Sequence, residues 1–146
     1  MNYLEAFSPD YAIALERFRA KSLACGYDCI AYPIDRVSPT GEELTIDVAI
    51  AGAPNPKRTV VISSGFHGVE VFLGSAIQLA LLEQQQIITS RSPDTRVVLI
   101  HALNPYGFAM SVRRKRKMVR IAKRFLPFFA ICVVLCTTQM AISNSR

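Results

Sequence analysis

Two runs rich in β-branched residues, Thr59–Ser64 and Arg96–Ala102, stand on either side of a stretch with helical periodicity. Uncharged runs such as Thr59–Ser64 are typical of strands covered on both faces of a sheet. Between the two runs, residues Val71 to Gln85 bring Phe72, Ala76, Leu79 and Leu82 onto one helical face. Strand, helix, strand in this order predicts a crossover unit whose two strands lie parallel. In open α/β sheets, ligands gather beyond the carboxyl ends of such strands. Two polar clusters, Gly65–Glu70 and His101–Gly107, each follow a strand's carboxyl end, so the topology predicts that they share one edge.

The N-terminal part adds a helix and a hairpin. Ser8-Pro9-Asp10 supplies a cap, Ala12, Leu15, Phe18 and Leu23 form an apolar stripe with Tyr11 and Ala14 nearby, and Gly26 is a stop. Cys29 to Ile34 reads as a strand, Val37 to Glu42 as a turn, and Leu44 to Ile50 as a half-buried strand with alternating apolar and polar residues. Gly52 to Lys57, with two prolines, is a connecting loop.

The chain has 146 residues and is 51% hydrophobic, enough for one domain with a core and too little for two. Its net charge of +6 is unevenly spread. Residues 1–110 carry all 11 acidic groups against 8 basic ones, whereas residues 111–146 carry 9 basic groups and no acid. So sharp a change marks two regions obeying different rules. No apolar leader opens the sequence, so a cytoplasmic location without disulfides is expected. The pairs Cys25/Cys29 and Cys132/Cys136 have helical spacing and read as small buried residues rather than metal ligands.

His67 and Glu70 form an H-x-x-E pair at the strand-to-helix corner. Imidazole nitrogen and carboxylate oxygen are both good zinc ligands. Gly65 and Gly68 permit the tight turn that lets the two converge, and a helix N-terminus favours the charged carboxylate. The alternative is a capping Glu70 beside an ordinary loop histidine. His101 reads either as a third ligand or as a histidine hydrogen-bonded at a strand end, the latter preferred. Asn104-Pro105-Tyr106-Gly107 is a turn signature.

Taken together, Ser63-Ser64-Gly65-Phe66-His67-Gly68-Val69-Glu70, Gly74-Ser75-Ala76-Ile77-Gln78 and His101 through Ala109 resemble an uncharacterised bacterial family related to the zinc carboxypeptidases. Phe7–Tyr11 and Leu44–Val48 fit the same family, and the likeness covers Phe7 to Arg114. The resemblance implies a truncated zinc-carboxypeptidase-like α/β domain over residues 1–110, with a mostly parallel central sheet and flanking helices. It implies Zn2+ held by His67 and Glu70, substrate contacts from Asn104 and Tyr106, and a substrate or oxyanion arginine at Arg113 or Arg114. The implied activity is hydrolysis of a peptide or amide bond.

Beyond the double arginine the likeness breaks. The family's third zinc ligand, a histidine, and its general-base glutamate have no counterpart, since no histidine or acidic residue follows Met110. This chain is therefore expected to be inactive. Residues 111–146 read as an out-of-frame continuation or as a membrane segment, Leu126–Ile142 being a mostly apolar run of 17 residues preceded by basic ones. The alternative to the enzyme is thus a non-catalytic remnant tethered to a membrane. The basic cluster Arg113–Lys117 lacks any surrounding recognition fold, so no nucleic-acid partner is expected. A sheet cut after a few strands also predicts an open edge, an uncovered apolar face and poor solubility.

Overall fold

The computed structural model describes residues 3–66, 71–84 and 93–111. After a short 3-10 turn, Tyr3–Ala6, come α1 (Tyr11–Ala24), β1 (Asp28–Val37), β2 (Glu43–Gly52), β3 (Arg58–Ser63), α2 (Val71–Glu83), β4 (Thr95–His101) and α3 (Pro105–Met110).

The first helix starts where its cap predicts, with the Asp10 side chain accepting a hydrogen bond from the Ile13 amide at 2.9 Å. It ends at Gly26, whose φ of 77° only glycine adopts without strain. Its buried stripe is Tyr11, Ala14, Leu15, Phe18 and Ser22. Ala12 and Leu23 lie off that stripe and are exposed, so the predicted stripe holds at Leu15 and Phe18 and fails at both ends. Cys25 and Cys29 do not share a helix. Cys25 caps α1, and Cys29 lies exposed on β1, contrary to the buried reading. Cys132 and Cys136 lie outside the described residues.

The sheet has the order β1-β2-β4-β3. As the crossover predicts, β3 and β4 run parallel, with Val61 opposite Val98. The expectation of a mostly parallel sheet fails on the other two pairings. β1 with β2 and β2 with β4 are antiparallel, and the sheet is mixed. The physical reason is the short turn at Ser38–Glu42: so brief a connection joins only antiparallel neighbours, and the resulting hairpin docks through β2. The strand expected to be covered on both faces, β3, is half-buried and pairs only with β4 among the described residues. The interior position belongs to β4, which bonds both β2 and β3.

Both long helices lie on one face of this sheet. Phe18 of α1 and Leu82 of α2 pack with Ala49, Val97 and Leu99, all nearly inaccessible. A second cluster joins Tyr11, Leu44, Phe72 and Phe108. On the opposite face the register aligns Ile46, Val48 and Ile50 of β2 with Val98 and Ile100 of β4 and Val61 of β3. These six are only half-buried, and no described element covers them. Ile30 and Tyr32 extend the same face on β1, at 43% and 52% exposed.

No helix among the described residues is long and apolar enough to cross a membrane. The run Leu126–Ile142 lies outside them.

Candidate functional site

The parallel pairing of β3 and β4 continues past the strands into the two loops. Ser64 donates to the Ile100 carbonyl at 3.0 Å. In return, Leu103 and Asn104 donate to the carbonyls of Ser64 and Gly65 at 2.9 and 2.8 Å. The two polar clusters therefore meet on one edge, as the topology predicts. Gly65 makes this approach possible: its φ is 75°, and a Cβ there would sit 2.5 Å from the Ala102 Cβ. Gly74 serves the helix in the same way, since a Cβ on it would come within 2.9 Å of the Ser64 Cβ.

Buried polar side chains of α2 hold this junction. Gln78 is 1% exposed, and its amide nitrogen donates to the Ile62 and Ile100 carbonyls at 3.1 and 3.0 Å. Its amide oxygen accepts from the Ser64 hydroxyl at 2.9 Å. One side chain thus ties the last turn of both strands to the helix. Ser75, one turn earlier on the same helix, meets His101 Nε2 at 3.0 Å. Neither residue is assigned a role from sequence alone. The available signal is a pair of polar residues inside an otherwise apolar helical stripe, which only a buried hydrogen-bonding partner justifies.

His101 is fully buried and stacks on Phe18 with ring centroids 4.7 Å apart. Burial pushes its pKa down to about 4, a shift that the nearby Asp47 carboxylate opposes. Its Nδ1 finds no hydrogen-bond partner among the described residues. Asp47, opposite His101 in the register, is also buried and is paired with the Arg19 guanidinium, which bonds Thr45 as well. This is the strand-end histidine of the preferred reading, turned into the helix layer.

His67 and Glu70 lie outside the described residues, as do Arg113 and Arg114. The chain reaches the H-x-x-E pair from Gly65 and leaves it at Val71, the first residue of α2, so both flanks are fixed at the β3–β4 junction. As donors the two residues suit zinc, but they supply two ligands where catalytic zinc sites commonly use three. Among the described residues, no group of three His, Cys, Asp or Glu comes together. Asn104 acts locally: its side-chain oxygen caps α3 by accepting from the Gly107 amide at 2.7 Å. Tyr106 is 44% exposed at the same corner.

A mixed sheet with two helices on one face, and a junction of loops at the carboxyl ends of its parallel pair, defines an α/β domain. The chain belongs to the family described as "Protein of unknown function (DUF2817)", whose model matches residues 7–133. That match runs past Met110 into the apolar run. No curated protein matches the sequence. Among solved structures, the chain is similar to the glutaminyl cyclase of Fimbriiglobus ruber, with 9% identity and a TM-score of 0.45 over 67% of this chain and 40% of that one. It is also similar to the glutaminyl cyclase of Macrostomum lignano, with 16% identity and a TM-score of 0.43 over 62% of this chain and 30% of that one. The matched region thus spans less than half the length of either enzyme.

Proposed function

We propose that this domain derives from a zinc-dependent hydrolase of peptide or amide bonds, with His67 and Glu70 as the ligands it retains. The reading rests on the β3–β4 junction. The loops at both strand ends are stitched by backbone hydrogen bonds, pinned by Gln78 and closed over Gly65, and the H-x-x-E pair springs from that fixed point. Preorganised flanks of this kind favour convergence of two ligands. A zinc ion held there would supply Lewis-acid polarisation of the scissile carbonyl. Asn104 and Tyr106 border the junction on the substrate side, and Arg113 or Arg114 would steady the oxyanion.

A specific observation favours the second reading, a domain that no longer catalyses. His101 is committed to Ser75 inside the helix layer and does not stand as a third ligand beside His67 and Glu70. The division into an α/β domain over 1–110 and a separate basic and apolar region over 111–146 belongs to this proposal as well. Zinc content of the purified full chain separates the readings. Near-stoichiometric zinc that disappears in His67→Ala supports a surviving site. Zinc-free protein that also fails to take up added zinc marks the remnant.

A further inference from the structure

The six residues of the open sheet face form a continuous apolar surface: Ile46, Val48 and Ile50 on β2, Val98 and Ile100 on β4, and Val61 on β3. An apolar patch of this kind on a folded domain marks a contact with something else. Three features of the same chain indicate what covers it.

The first is where the described chain leaves the domain. Leu44, at the start of β2, is fully buried in one cluster with Tyr11 of α1, Phe72 of α2 and Phe108 and Ala109 of α3. The final helix therefore packs with α1 and α2 near the start of β2, and the chain departs from Ser111 at its end. The second is length. Fourteen residues, 112–125, separate Ser111 from Leu126. They span up to ~46 Å when extended, against ~14 Å between the outer strands of a four-stranded sheet. The third is chemistry. Residues 112–125 carry eight Lys and Arg and no acid, charges that are costly to bury. Leu126–Ile142 carries no charge at all and is rich in Leu, Ile, Val, Phe and Cys. The family match extends into this run, to residue 133.

We infer that Leu126–Ile142 docks across the open face of the sheet and acts as the second cover of the domain. The inference does not depend on the zinc reading, because it concerns the face away from α1 and α2. The apolar surfaces are matched: each would otherwise face water, and tethering makes their association intramolecular.

Native Cys132 and Cys136 provide the test in the full chain. Cys25 and Cys29 are replaced by Ser, and a reporter Val48→Cys is placed on the open face, with Lys21→Cys on the helix side as the control. Under mild oxidation the reporter is expected to give an internal disulfide within the monomer, and the control about tenfold less. Cross-links only between chains would overturn the inference in favour of a second copy on the face. Flotation of the chain with phosphatidylglycerol-containing vesicles, without internal cross-linking, would overturn it in favour of a membrane, and failure to do either also overturns it. Should the variants fail to fold, the unmodified chain gives a second reading. Maleimide labelling of Cys132 and Cys136 is expected to slow at least about tenfold relative to the chain in denaturant. Labelling at the unfolded rate rejects the docking.

Discussion

The two faces of the sheet are built from similar residues and end in different surroundings. On the helix side, Ala49, Val97 and Leu99 are nearly inaccessible beneath Phe18 and Leu82, and polar Asp47, Gln78 and His101 are buried among them with partners. On the other side, Ile46, Val48, Val98 and Ile100 alternate with those same residues, carry no polar groups, and are covered by nothing described. A strand such as Val97-Val98-Leu99-Ile100 is therefore written for two covers, and α1 with α2 provides one. The polar side chains also sort by face. They are found where helices bring them partners, because a buried polar group without one is costly.

The largest effect that sharpens this contrast is a truncation on the closed face. Leu99→Ala is expected to cost about 3 kcal/mol by denaturant unfolding, the usual scale for a buried leucine. Its neighbour Ile100→Ala, on the open face, is expected to cost about 2 kcal/mol in the full chain if residues 126–142 cover it. A cost below about 0.5 kcal/mol would show that face to be solvated.

Acid tests the helix face through His101. Its folded pKa, about 4, lies below the ordinary 6.5, so the unfolded chain takes up the proton first. Stability is thus expected to fall as the pH drops from about 6.5 toward 4, by roughly 3 kcal/mol at most, and then to level off. In His101→Gln that slope should disappear; a slope that persists would place the acid sensitivity elsewhere.

Gln78→Leu keeps the helix but removes both donors to the strand carbonyls. Its expected cost is about 2 kcal/mol, from the loss of the two bonds to the strand carbonyls and of the acceptor for the buried Ser64 hydroxyl. If the H-x-x-E pair binds zinc, the same variant should weaken zinc uptake in equilibrium dialysis, whereas a stability loss with unchanged uptake would confine Gln78 to holding the sheet. The smallest effect is at the surface. Asp10→Ala should cost about 1 kcal/mol through loss of the α1 cap, measurable by thermal melting, and should leave both faces unchanged.

Local signals were legible in the sequence wherever a short-range rule sets the structure. The Asp10 cap, the Gly26 stop, the apolar runs of β3 and β4 and the periodic face of α2 all appear where patterning puts them. The shared edge of the two polar clusters also followed, because a strand-helix-strand crossover fixes which strand ends meet. The sequence did not reveal that β2 inserts antiparallel beside β4, or that β3 takes the outer position. A β-branched run has the same composition in either place, and its neighbours are chosen by contacts far along the chain. Nor did it reveal the work of Gln78 and Ser75. A polar residue in an apolar stripe declares that it needs a partner, but only the packed sheet and helix decide which carbonyl or imidazole supplies it.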